Sequence, residues 1–307
     1  MSKQAALPSR GRALSESTTL LILCVPAILL YFLFFVVPIF GNVILSFTNW
    51  DGSALRMGRM RFIGLDNYAE LFTRDRLFYA ALRHNLAYTI AVVFLQNTLA
   101  LGFALVLTRR SPLTTFLKTV FLLPVVLSTL TLSLIWSYVY DPMFGMLNEL
   151  LRQIGLDSLT RAWLGDESIA LLAVAFVNVW QWAGYSMVIY IAGLNAIPRD
   201  IYEAADVAGA SPLRVFRSIT LPLLLPAVTI NVVLSTLGCM KVFGLVYVMT
   251  GGGPNESTEV LATLIFRTAF DFGRMGYAAS ISMILLLIIM IIGFTQTVVL
   301  RRLETQL

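Results

Sequence analysis

Six long stretches without a single Asp, Glu, Lys or Arg constrain this chain more than any other feature. They run over 17–50, 84–108, 119–140, 168–198, 218–240 and 275–300, and the shortest has 22 residues. Each can cross a hydrocarbon core of about 30 Å as a helix, and a helix satisfies its own backbone N–H and C=O groups where no water can. Composition agrees, because 58% of the 307 residues are hydrophobic, 13% are charged and the mean hydropathy is +0.82. A transmembrane barrel would show short segments of alternating polarity, and no stretch alternates in that way. Disordered, collagen-like and disulfide-scaffold classes are excluded on the same grounds.

The pattern predicts an all-α membrane protein with six transmembrane helices near 20–40, 86–107, 116–139, 169–193, 221–249 and 278–300. With both termini cytoplasmic, residues 1–19 form an N-terminal segment, 20–300 the membrane domain and 301–307 a tail. The inner segments then carry 11 Lys and Arg in 64 residues against 10 in 102 outside, the density bias expected of cytoplasmic loops. The first outer loop runs against it with Arg56, Arg59, Arg61, Arg74, Arg76 and Arg83, although long loops translocate despite such charge. The net charge of +5 follows from basic flanks and points to no nucleic acid.

At the start, Lys3, Arg10 and Arg12 precede an apolar run from Leu20 to Phe40. Its length exceeds the roughly 7–15 residues of a signal-peptide core, no Ala-x-Ala site closes it, and it is expected to stay as an anchor. Cys24 and Cys239 lie in apolar stretches and read as small hydrophobes. His84 has no second histidine or cysteine nearby, so a metal site is not expected.

Helices one and six, rich in Leu, Ile and Phe, read as lipid-facing. Helix four instead carries Asn178, Gln181, Trp182, Gly184, Tyr185 and Ser186, whose polar atoms must meet other helices or a wet cavity. Helix five opens with Pro222 and Pro226, continues through Asn231, Ser235 and Gly238, and reaches Lys241. Proline at those positions bends a helix and frees carbonyls that lipid cannot satisfy.

The loop 197–220 is the most informative segment. Pro198 suits a first helical position, and Ile201, Ala204, Ala205 and Ala208 share one face at i, i+3, i+4 and i+7. Gly209 can end that helix in the left-handed conformation, and Ser211-Pro212 can start another. Leu213, Val215 and Phe216 then give the second helix bulky contacts. From spacing alone, such a helix-turn-helix fits an interfacial position as well as a docking surface for another protein.

The pattern Glu203-Ala204-Ala205, three residues, Gly209, nine residues, Ile219-x-Leu221-Pro222 resembles the coupling motif of ABC importer permeases. Thr250-Gly251-Gly252-Gly253-Pro254 followed by Ser257-Thr258-Glu259 is similar to the outer segment after helix five in the larger-type permease of maltose-like sugar importers. Gly276-Tyr277-Ala278-Ala279 before the last helix fits the same family. The resemblance implies a multi-pass permease of the bacterial cytoplasmic (inner) membrane. Its implied partners are a second homologous permease subunit, two copies of a cytoplasmic ATPase and an external solute-binding protein. ATP and Mg would sit on the ATPase, since no Gly-x-x-x-x-Gly-Lys-[Ser/Thr] loop occurs here. Glu203, Ala204, Ala205, Gly209, Leu213 and Phe216 are the implied ATPase-coupling residues. One departure is Ala208, where many sugar permeases have Asp before the motif glycine.

The resemblance also marks Asn178, Gln181, Trp182 and Tyr185 as substrate-lining positions, and these share one helical face. Aromatics beside amides suit a sugar, whose C–H face stacks while its hydroxyls find donors and acceptors; amides equally serve to join helices. In helix five the matching positions include Ser235, Cys239, Val242 and Gly244, two of them apolar where the maltose type is polar. Lys241 is expected inside helix five, either attracting an anionic sugar derivative or, the favoured reading, snorkelling to the outer interface. No catalytic residue or bound cofactor is expected. An intramembrane enzyme or proton-coupled carrier would need a His, Asp or Glu at membrane depth, and the six predicted helices offer none.

Overall fold

The computed structural model describes residues 16–53, 60–109 and 111–305. Arg56, Arg59, the first fifteen residues of the N-terminal segment and the last two of the tail lie outside the described residues. Helix α1 (Glu16–Tyr31) continues through a π turn at Phe32–Val36 into α2 (Val37–Ser46). There follow α3 (Asp66–Thr73), α4 (Arg76–Leu107), α5 (Pro112–Val126), α6 (Thr129–Val139), α7 (Met146–Gln153), α8 (Ala170–Ala196) and α9 (Arg199–Val207). The chain ends with α10 (Pro212–Val215), α11 (Leu221–Leu223), α12 (Leu225–Met240), α13 (Gly244–Met249), α14 (Leu261–Phe266) and α15 (Met275–Thr305). A β-bridge between Thr48 and Phe62 is the one strand-like pairing among the described residues.

Among the described residues, four helices are long and apolar enough to cross a membrane, and six spans result if two bent pairs each count as one. Both bends correct the straight helices expected from the sequence. The third segment turns by 101° between α5 and α6, where Leu127 and Ser128 adopt extended ψ values of 139° and 134°. The fifth turns by 65° before α12, because Pro226 has no N–H to return to the carbonyl four residues back. It also ends at Met240 instead of Met249, and α13 restarts after a three-residue break. The second helix, expected from 86, begins at Arg76, with the Asp75 carboxylate accepting from the Phe78 N–H at 2.9 Å. Arg76, Arg83 and His84 had hidden its first turns, since a hydropathy reading stops at charge.

The inner core forms where α8 packs along α4 and α5 and where α12 lies against α4 and α15. In the most apolar windows of the spans, α8 is 61% buried while Cys24–Ser46 is 0% and α15 is 6%. The first and last helices therefore face outward, as expected. Gly184 permits the tight α5–α8 contact, because a Cβ there would lie 1.9 Å from the Phe121 carbonyl oxygen.

The outer glycine turn has an equally local cause. Gly252 has φ +88°, and a Cβ on it would lie 2.0 Å from Glu259 Oε2. That carboxylate is fully buried and accepts from Arg267 Nη1 at 2.6 Å. Thr258 Oγ1 donates to the Gly253 carbonyl at 2.6 Å, and the Glu259 carbonyl meets His84 Nδ1 at 3.2 Å. The motif's glycine and glutamate are thus one unit: the turn is bare so that the acid can fold beneath it.

Two substitutions test this packing. Gly184→Ala should cost at least the roughly 1–3 kcal/mol of an overpacked core, whereas Gly102→Ala, whose Cβ meets nothing within 4 Å, should be neutral or stabilising. Comparing melting temperatures of the two purified variants checks the contrast. Arg267→Met strands the Glu259 carboxylate and should cost about 3–5 kcal/mol, with Glu259→Gln/Arg267→Met recovering part of the loss in the same assay.

Candidate functional site

A cavity of about 420 Å³ opens where α4, α5, α8 and α12 meet, lined at its polar side by Gln96, Asn178, Tyr185, Ser186, Asn231 and Ser235. Trp182 supplies an aromatic wall, and Val125, Leu234, Gly238 and Cys239 complete the lining. Among the described residues, no Asp, Glu, Lys, Arg or His contributes to it. The Trp182 and Tyr185 rings meet edge to face at 6.1 Å and 88°, and both remain partly exposed.

Most of the polar groups are held from behind. Gln96 Nε2 donates to Ser186 Oγ at 2.8 Å, and Asn178 Nδ2 donates to Tyr88 Oη at 2.8 Å. Asn231 Nδ2 donates to the Ser186 carbonyl at 3.2 Å, while Ser235 Oγ donates to the Asn231 carbonyl at 2.7 Å. Asn97 links both sides, donating to Ser235 Oγ at 3.2 Å and accepting from Tyr190 Oη at 2.7 Å. The amide oxygens of Asn178 and Asn231 keep acceptor capacity, and the Tyr185 hydroxyl is free to donate or accept. Such a lining can offer hydrogen bonds of both kinds and an apolar ring face, without net charge.

The structure divides the residues selected from the sequence. Asn178, Trp182, Tyr185 and Ser235 line the cavity, and Cys239 joins them. Gln181 does not; it is almost fully buried, and its Nε2 reaches the Leu127 carbonyl at 3.5 Å, at the bend of the third segment. Lys241 does not either. It caps the end of α12, outside any helix interior and exposed, because the helix stops one residue earlier. Val242 and Gly244 fall in and after the break, Gly244 against Thr129. Gln96, Ser186 and Asn231 gained their places only through packing. The Gln96-Asn97 amide pair within one apolar run and the single amide of Asn231 within another were the available signals.

The coupling loop takes the expected local form with one correction. Gly209 has φ +68°, and the bonds Gly209 N–H to Asp206 carbonyl and Ala210 N–H to Ala205 carbonyl, both 3.0 Å, close α9 in a Schellman turn. The alanine stripe splits: Ala205 is buried and Ile201 half-buried, whereas Glu203, Ala204 and Ala208 are exposed and Val207 is 91% exposed. Leu213 is exposed and Phe216 half-buried. The second helix is not a separate short element. From Pro212 it runs through a π turn at Phe216–Thr220 into α11 and the fifth membrane segment, and Pro222 is accommodated at the first turn of α11.

Residues 96–305, more than half of the chain, match the family of binding-protein-dependent transport system inner membrane components. The chain is 42% identical over 277 residues to the probable ABC transporter permease protein YurN of Bacillus subtilis, covering 89% of this chain and 92% of that one. It is 34% identical over 277 residues to the multiple sugar-binding transport system permease protein MsmF of Streptococcus mutans, with the same coverage. The fold matches a chain of the crystal structure of a bacterial alginate ABC transporter in complex with its alginate pentasaccharide-bound periplasmic protein. That match has a TM-score of 0.80 at 20% identity, over 94% of this chain and 96% of the other. The helical architecture, the coupling loop and these similarities agree: the chain is a multi-pass permease component, not a catalytic subunit, and belongs to the inner-membrane permease family of binding-protein-dependent ABC transport systems.

Proposed function

We propose that this permease passes a neutral sugar or oligosaccharide across the inner membrane, with the cavity between α4, α8 and α12 as its contact site. One observation carries the reading: the cavity joins an aromatic wall to amides and hydroxyls and contains no charge. A saccharide presents the matching surface, a C–H face for Trp182 or Tyr185 and hydroxyls for Asn178, Asn231 and Ser235. The sugar permease MsmF among its relatives supports the class. An anionic sugar derivative would need a cation in the path, and Lys241 stands outside the cavity.

The working complex then comprises this chain, a second homologous permease, two copies of a cytoplasmic ATPase that hold ATP and Mg, and an external solute-binding protein. The exposed side of α9, with Glu203, Ala204 and Val207, is the surface for the ATPase. Ala205 holds the helix to the permease from its other side, and Gly209 fixes the direction in which the chain returns to the membrane. Movement of α9 thereby reaches α12 and the cavity through the segment starting at Pro212. In this alternating-access scheme, ATPase closure and solute release are coupled by a covalently continuous lever.

Trp182→Ala and Tyr185→Ala should each lower uptake of the natural solute roughly tenfold, about 1.4 kcal/mol, while solute affinity of the external protein and assembly of the complex stay unchanged. Lys241→Met should transport normally. Uptake by proteoliposomes across a solute panel checks both, and selective loss in an assembled Lys241→Met complex, restored by Arg, would replace the neutral solute with an anionic one.

Gly209→Pro cannot adopt φ +68°, and Glu203→Lys reverses a charge on the exposed face. Both variants should insert normally yet lose most solute-stimulated ATPase activity. Normal stimulation and uptake in both would remove α9 from the coupling path.

A further inference from the structure

A second cavity, of about 610 Å³, lies at the end of the molecule that carries the coupling loop, lined by Thr108, Arg109, Leu194, Asn195, Ile197, Arg199 and Tyr202. It forms where α4 and α8 both terminate and where α9 begins. The density of Lys and Arg in segments 108–118 and 194–220 puts this end on the cytoplasmic side, at the level where membrane helices give way to headgroups.

Its lining has one sign of charge. Among the described residues, two guanidiniums border the cavity and no carboxylate does. Neither Arg109 nor Arg199 has an ion-pair partner among the described residues, unlike Arg152, Arg267 and Arg274, which pair with Glu149, Glu259 and Glu70. Asp200 is the neighbour of Arg199 in sequence, yet it does not line the cavity. Thr108, Asn195 and Tyr202 add donors, and the Tyr202 hydroxyl is held by Thr220 Oγ1 at 3.2 Å. Leu194 and Ile197, both largely buried, form an apolar wall. Two unneutralised arginines that share a concave site are suited to a phosphate group, which each can grip through paired N–H donors.

We propose that this cavity binds the phosphate of an anionic phospholipid from the cytoplasmic leaflet and ties that lipid to the coupling helix. The headgroup phosphate sits between Arg109 at the end of α4 and Arg199 at the start of α9, and the glycerol and first methylenes lie on Leu194 and Ile197. A basic pocket between helix ends at this depth matches the chemistry of anionic headgroups. The apolar wall favours a lipid over free phosphate, and it also favours a lipid over a carboxylate of the ATPase. Arg199 is part of α9, so the bound lipid braces the coupling helix against α4 and α8. The assignment rests on the inner-membrane placement and is independent of which solute is carried.

The test uses the assembled transporter, stripped of lipid and titrated with phosphatidylglycerol, with phosphatidylcholine or with inorganic phosphate, and reads melting temperature and lipid retained in native mass spectrometry. Phosphatidylglycerol should stabilise the wild type and stay bound, while phosphatidylcholine and inorganic phosphate should not. In Arg109→Gln, and separately in Arg199→Gln, half-maximal stabilisation should need about tenfold more phosphatidylglycerol, as expected for losing one charge-assisted contact; Arg109→Lys should recover part of it. An unchanged phosphatidylglycerol response in both glutamine variants would overturn the site. Equal stabilisation by inorganic phosphate would overturn the lipid assignment. Loss of the ATPase from either variant with the lipid response intact would assign the arginines to a protein partner instead. Solute uptake is measured apart from these readouts, so failure of the sugar assignment leaves this result standing, and the reverse also holds.

Discussion

A polar group buried in this bundle is costly unless it finds a partner within the protein, because hydrocarbon offers none. That constraint fixes how α4, α8 and α12 meet. Tyr88 accepts from Asn178, Gln96 donates to Ser186, and Asn97 joins Tyr190 to Ser235. Asn85 Nδ2 reaches the Cys239 carbonyl at 3.3 Å, while its oxygen accepts from the Leu261 N–H at 3.3 Å. Each bond ties one helix to another at a defined height, and sliding either by a turn would strand several groups together. The cavity sits within this lattice because its polar walls are held from the rear and their remaining capacity points inward.

The same rule decides where the chain can break. Helical interruptions at Leu127–Ser128, at Leu224 and at Lys241–Phe243 expose backbone groups. The first is met by the nearly buried Gln181, which donates toward the Leu127 carbonyl, and Leu224 is fully buried. Irregular backbone at membrane depth is tolerated where protein surrounds it. These interruptions shape function as well as fold. The bend at Leu224 joins the segment from the coupling loop to the helix that carries Asn231, Ser235 and Cys239, so a displacement of α9 has a short covalent route to the cavity wall.

At the opposite end, Glu259 organises the glycine turn through its ion pair with Arg267 and its approach to Gly252. A carboxylate removed from water is costly unless paired and hydrogen-bonded. The pair therefore holds the outer turn to the beginning of the π segment after α14. Each end of the permease thus has a locally fixed turn: a Schellman turn at Gly209 and a buried ion pair beneath Gly252.

Charge-free length, helix-four polarity and the coupling motif were legible in the sequence because each is local: hydropathy over about twenty residues, spacing on one helix, a glycine where φ must be positive. These determined a multi-pass helical permease, the glycine-closed turn of the 197–220 loop, and Asn178, Trp182, Tyr185 and Ser235 as cavity residues. Helix register against a neighbour is not local. Gln181 shares a helical face with Asn178 and Tyr185, yet it turns to the bent third segment, because the position of that bend decides which side chains find a carbonyl. Lys241 falls outside the cavity, at the C-cap of a helix that ends at Met240, and Arg109 and Arg199 share a second cavity because three helix ends converge there. Only the tertiary structure could decide these, since each depends on the relative placement of residues brought together by packing across separate helices.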